Sequence, residues 1–380
     1  MRTSGLSRKV NCGIKVGLTL TLVALGACRP TSTPQPRPKQ APLEAKLELD
    51  NLSFAQVDKQ GKPLWKVRAQ QGVYAPDGKR AKVTNLSGDL YQDGQIIIRI
   101  TAKSGELEQA GEKIVLRGDV IATDIRNNLV LSGQEVEWQP KADLFTIRDR
   151  VQASQPKFQV NANLGKYVSR KQQLDLNGKI TAVYADPRLA MQTEHLTWLV
   201  KDQKVIGDRP TQMQRYRGTT ITERVTANRF ASVLDRKIVS LQGKVRLDAT
   251  SPVIETTGES FSWDLDRELV TADRPLTILY PQETLIFNAN AGELNLKAAT
   301  ATLTGNANGK SNRNQANLRS DRLIWQIASQ QLVGTGNVIY QQINPVIKFT
   351  GTRGIGKLQD RSIVVSSDGK QRVQTEFIPE

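Results

Sequence analysis

The chain reads as an all-β protein built from stacked repeats, and three observations carry that reading. Apolar or small residues alternate with polar ones from Leu47 onwards, which is the signature of half-buried strands. The alternation recurs in units of about 31 residues, about ten of them in all, as expected of supersecondary units each too small to bury its own apolar face. Apolar content is 38% and aromatic content 5%, which suits a thin core spread along a repetitive body better than one thick core.

The N-terminus comes first. Arg2, Arg8, Lys9 and Lys15 form a positive region without an acidic residue, and Val16 to Ala27 is an uncharged, mostly apolar run. Twelve residues are too few to span a bilayer comfortably, so residues 1–28 read as an export signal. The run ends Leu25-Gly26-Ala27-Cys28, which resembles a bacterial lipobox with Cys28 as the acylated mature N-terminus. Cys12 would leave with the signal, and the mature chain would then hold no cysteine pair and no disulfide. Residues 29–44 read as a tether, with Pro30, Pro34, Pro36 and Pro38 favouring extended polyproline II.

Residues 45–380 are the predicted body. It opens with FAQVDKQGKPLWKVRAQQGVY, in which Asp58 and Gly61 form an Asp-x-x-Gly turn followed by Trp65 and by Ala69. That stretch resembles the opening of the LptC family of lipopolysaccharide-export proteins.

The repeating unit is clearest at Val160 to Ile180. Its first half carries Val160, Ala162, Gly165 and Tyr167, with one extra residue between the pairs that predicts a bulge or bend. Its second half runs Leu174, Leu176, Gly178, Ile180 in strict alternation. Trp138, Trp198, Trp263 and Trp325 occupy one slot in every second unit, at spacings of 60, 65 and 62 residues, so the building block is a doublet. The slot faces either the core or groove wall or an outer cap between units, and the first is favoured. Asp208-Arg209-Pro210 and Asp273-Arg274-Pro275 stand where other units hold glycine, and proline there predicts a strand end or an edge; the arginine reads as part of an exposed bend, with a phosphate contact as the alternative. No helix of note is expected after the signal.

Chemistry is hard to place on this chain. The lone histidine, His195, has no Ser/Asp or Cys constellation around it in sequence, and no glycine-rich loop precedes a helix. No catalytic residue, metal site or cofactor is predicted. The formal charge of +16 falls to +12 without the signal, which points to an anionic partner. In a cell envelope that means lipid or lipopolysaccharide headgroups rather than nucleic acid; a solubilising coat is the bland alternative. A transmembrane barrel is disfavoured, because the apolar face lacks aromatic girdles.

The resemblance adds further expectations. LptA, LptC and OstA-like proteins fold as an elongated open β-jelly-roll, two antiparallel sheets in a V whose interior cradles acyl chains. It implies a lipid groove lined here by Ile114, Leu116, Val120, Val160, Leu174, Leu176, Ile180, Val239, Leu241, Val245, Leu303 and Val338. It implies lipopolysaccharide as ligand, an inner-membrane ABC transporter as donor, and LptA/OstA-like rolls as acceptors through sheet edges. The site would be periplasmic and membrane-anchored, at the inner membrane by resemblance, with the outer membrane as alternative. Family members are typically about half this length and use a transmembrane helix where this chain has the lipobox. A structural β-repeat envelope lipoprotein with a packed core and no lipid ligand is the competing expectation.

Overall fold

Each long alternating segment pairs with the segments before and after it across tight turns, and where a segment is split into two short strands each half pairs separately with the flanking ones. The computed structural model describes residues 47–377, apart from 77, 109–110, 313–314, 344–345, 361 and 368–372. The expected export signal, the candidate lipid-bearing Cys28 and the expected tether lie outside the described residues. The chain divides into two units between Glu44 and Ala45, and the described residues belong to the second.

That unit is one antiparallel sheet of 26 strands. Strand Phe158–Val168, for example, pairs with Leu144–Gln155 on one side and Gln173–Ala185 on the other. No α-helix occurs among the described residues. The all-β body expected from the alternation and the elongated roll implied by the resemblance are what the structure shows.

The first hairpin shows how local chemistry sets register. The Asp58 carboxylate accepts the backbone N–H groups of Gln60 and Lys62, both at 2.9 Å, and Gly61 takes φ 79 to complete the turn. Trp65 and Ala69 then point inward, 2% and 5% exposed.

Each rung is bent at mid-length. Gly178 and Lys179 both sit in the left-handed region, at φ 78 and 48, and the facing strand slips register between Asn161 and Leu164. The predicted bend in the first half is therefore matched by one in the second. Gly178 stands at the corner rather than in the inward row, and a Cβ there would meet the Asn163 side chain at 2.9 Å. The same pair of left-handed residues recurs at Gly118-Asp119, Asp149-Arg150, Gly243-Lys244, Gly305-Asn306 and Gly336-Asn337. Alignment of these corners folds the one sheet into two arms. Leu174 and Leu176 belong to the first arm, Ile180 and Val160 to the second.

The proline slots obey the expectation of a strand end. Strands Lys204–Gly207 and Thr211–Arg217 share one rung, both pairing with Arg188–Leu199, and exposed Asp208-Arg209-Pro210 separates them. Leu269–Ala272 and Leu276–Tyr280 share another rung on Val253–Asp264, split by Asp273-Arg274-Pro275. Proline has no N–H to give the ladder, so the rung breaks there.

The interior lies between the arms. A continuous apolar cluster runs from Trp65 to Val338, each member less than a tenth exposed. Burying a Val, Leu, Ile or Phe side chain contributes about 1.5–3 kcal/mol, so this row is what holds the arms together.

Candidate functional site

All twelve candidate groove residues face the interior, and none is more than 1% exposed. Ile114, Leu116, Leu174, Leu176, Val239, Leu241 and Leu303 come from the first arm; Val120, Val160, Ile180, Val245 and Val338 come from the second. The structure thus brings them into one surface, filled by their own side chains.

The tryptophan slot turns inward at the free edge of the first arm. Trp138, Trp198, Trp263 and Trp325 are all 0% exposed. Three of them meet an aromatic ring of the second arm edge-on. Trp138 lies 6.2 Å from Trp65, Trp198 4.8 Å from Phe158, and Trp325 5.1 Å from Tyr280. The mouth of the V is therefore bridged by rings. Trp65 donates its indole N–H to Gln56 at 2.7 Å, whereas the indole N–H groups of the four slot tryptophans are buried without an acceptor. A buried donor left unpaired costs about 1–3 kcal/mol.

Sequence reasoning missed a second row, at the free edge of the second arm. Its slot holds Asp124, Gln155, Tyr184 and Arg215, each reaching across the mouth to the first arm. Asp124 accepts from the Tyr167 hydroxyl at 2.5 Å and from Arg126, whose guanidinium also donates to the Ser169 carbonyl at 2.7 Å. Gln203 donates to Gln155 at 3.1 Å. The Tyr184 hydroxyl donates to the Leu234 carbonyl at 3.0 Å. Arg215 donates to the Leu265 carbonyl at 3.3 Å and pairs with Glu268 at 3.0 Å and Glu223 at 3.2 Å. The signal in the sequence was their spacing of 31, 29 and 31 residues at an inward-facing parity.

Electrostatics sharpen these latches. Burial, then the Asp124 charge, pushes the Tyr167 hydroxyl far above its ordinary range. Burial opposes ionisation of Glu268, but Arg215 and Arg217 outweigh it and hold the carboxyl below its ordinary value. Outside the mouth, His195 pairs with Asp208 at 2.7 Å on the surface, and that hydrogen bond lowers the Asp208 carboxyl. Among the described residues no three His, Cys, Asp or Glu side chains come together as a metal site.

Beyond Tyr280 the mouth changes character. A crevice of about 310 Å³ opens between Leu285, Phe287, Leu318 and Tyr340 of the second arm and Leu332, Leu358 and Ile363 of the first. Lys310 and Lys357 are exposed at its rim, and Glu283 is the one carboxylate among its described lining residues.

The described residues thus form a long antiparallel roll with a filled apolar interior and latched edges. The chain belongs to the LptC-related family of lipopolysaccharide-assembly proteins, whose family model matches residues 16–184 and again 131–251. The second match overlaps the first, as a repeating body longer than the family model allows. Membership makes this a periplasmic, envelope-associated component related to lipopolysaccharide export. No curated protein matches the chain. No helix among the described residues is long and apolar enough to cross a membrane.

Proposed function

We propose that the chain is a lipopolysaccharide carrier, anchored through a lipid on Cys28, that receives lipid from an inner-membrane ABC transporter and passes it to an LptA/OstA-like bridge. The observation that carries this reading is the unbroken apolar interior of the roll in a member of this family. The twelve interior residues named above are its contact surface. Acyl chains leave water at about 0.8 kcal/mol per buried CH₂, so movement onward requires neighbouring interiors of similar affinity rather than chemistry. Acyl groups also bring ester and amide carbonyls, the acceptors that the four buried indole N–H groups lack.

Residues 1–28 act in this reading as the export signal and 29–44 as the tether. The acceptor roll docks edge to edge. Among the described residues, strand Glu48–Val57 pairs on one side only, and Leu49 and Val57 are exposed along it. At the other end Ser362–Ser366 pairs, among the described residues, only with Ile347–Lys357, and Val364 is 65% exposed. Unpaired strand edges with exposed apolar side chains suit strand addition.

The filled interior supports a second reading, a structural β-repeat envelope lipoprotein with no lipid ligand. Photo-crosslinking in cells separates the two. A photoreactive residue at Leu176 or Val245 captures lipopolysaccharide if the interior carries it. Labelling only at the outward neighbours Asp175 and Arg246 would overturn the carrier reading. The anchor is tested separately by mass spectrometry of the mature N-terminus: a diacylglycerol-modified Cys28 supports it, and an unmodified one removes it.

A further inference from the structure

Three features of the C-terminal mouth coincide. At the first arm's edge the slot four residues past the corner holds Leu107, Trp138, Tyr167, Trp198, Ser232, Trp263, Leu294, Trp325 and, 31 residues on, Gly356. The slot is large everywhere except at Ser232 and Gly356, and a cavity lies beneath both. The one at Ser232 is about 30 Å³, filled in by Tyr184 and Phe230, while the one at Gly356 is about 310 Å³. On the second arm the latch slot that holds Asp124, Gln155, Tyr184 and Arg215 continues as Ala249 and Tyr280 and reaches Ser311, too short to cross. Both closing side chains are thus missing from the lining of this one crevice.

The opening is apolar within and cationic at its lip. Leu285, Phe287, Leu318, Leu332, Leu358 and Ile363 line it, and among the described lining residues two exposed ammonium groups, Lys310 and Lys357, outnumber the single carboxylate, Glu283. Its volume lies at the small end of the range for ligand pockets, about 300–1,000 Å³. An apolar slot with a cationic rim fits an alkyl chain bearing an anionic head. We propose that this crevice is a loading port, which takes one acyl chain of an anionic amphiphile end-on, so that lipid joins the interior here and not along the latched seam between Asp124 and Glu268. The proposal rests on the carrier reading above and adds where the lipid crosses the wall.

The crevice can be closed by design. A Cβ on Gly356 has nothing nearer than the Ser362 carbonyl at 3.8 Å and Leu332 at 3.9 Å, and its φ is not left-handed, so Gly356→Leu fits without strain and restores what Leu107 and Leu294 supply elsewhere. Ser311→Tyr, which copies Tyr184, closes the same crevice from the other arm and guards against one variant misfolding.

The test uses the full chain with photoreactive residues at Leu358 in the port and at Leu176 in the interior, exposed to purified lipopolysaccharide and, as a probe of the head alone, to its deacylated form. The port predicts that Leu358 captures the acylated lipid before Leu176 does, and that the deacylated form is captured at neither site. It predicts that Gly356→Leu and Ser311→Tyr each slow capture at Leu176 at least about tenfold with circular dichroism unchanged. Capture at Leu176 at an unchanged rate in both variants overturns the port and leaves the carrier reading standing. Equal capture of the deacylated form at Leu358 overturns the acyl-chain assignment. No capture at either position removes the carrier reading, and the port with it.

Discussion

Arg215 offers the sharpest energetic test of the latched seam. Its side chain is 7% exposed and lies between Glu223, 3% exposed, and Glu268, 13% exposed. Arg215→Met keeps the stem's packing and removes the cation. Glu223 is then left with only the Thr222 hydroxyl, while Glu268 keeps Arg217 at 2.9 Å. Removing one partner of a buried pair costs about 3–5 kcal/mol, and the surviving Arg217 contact puts this case near about 3. In a body where each rung touches only its neighbours, the loss should stay local. Hydrogen exchange read by mass spectrometry should therefore quicken on the order of a hundredfold in peptides from residues 204–233 and 253–280, and remain unchanged near the first hairpin. The triple variant Arg215→Met, Glu223→Gln, Glu268→Gln should recover most of the protection, because the cost lies in unpaired charge. Unchanged exchange at 204–233, or a uniform rise through the whole body, would refute the reasoning.

Two further predictions follow from the same seam. Tyr167→Phe removes a buried hydrogen bond to a carboxylate and should weaken protection of residues 120–129 by about 1.5–3 kcal/mol, measured by the same exchange experiment; no change there would mean that Arg126 alone holds Asp124. The seam should also fail at both ends of the pH scale. The Glu268 carboxyl is lowered on folding, so its contribution is present above the unfolded value of about 4.3 and lost as pH falls through the folded one. The Tyr167 hydroxyl is raised on folding, so its contribution is present below about pH 10 and lost as pH rises further. Urea denaturation followed across pH should give a plateau between those limits, and a stability maximum below pH 4 would contradict the assignment.

Much of this architecture is legible in the chain. Period-two alternation put Val160, Leu174, Leu176 and Ile180 on one inward face, and the Asp-x-x-Gly turn placed Trp65 and Ala69 correctly. The prolines at 210 and 275 marked true breaks. The tryptophan period was plain, but its direction was open between core, wall and cap. Alternation fixes a face of a strand and is silent on what stands opposite. The latches were not legible for the same reason. They join residues 43 to 53 apart, and which pairs meet depends on the corner angle set by left-handed pairs such as Gly178-Lys179. Read along the strand, Gly178 continued the inward row; only its φ shows it as the hinge of the fold.

An interior that is filled and latched holds acyl chains only if its two arms move apart once lipid is inside. Spin labels on Lys157 and Lys201, both exposed, stand on the hairpin turns that follow Gln155 on the second arm and precede Gln203 on the first, either side of the Gln203–Gln155 bond that closes the mouth there. Their separation, measured by pulsed dipolar spectroscopy with and without purified lipopolysaccharide, reads the opening directly. The account predicts one narrow distribution without lipid and a shift to longer distance, on the order of the 5 Å spacing between neighbouring chains, when lipid is bound. An unchanged distribution under conditions where Leu176 captures lipid would contradict it.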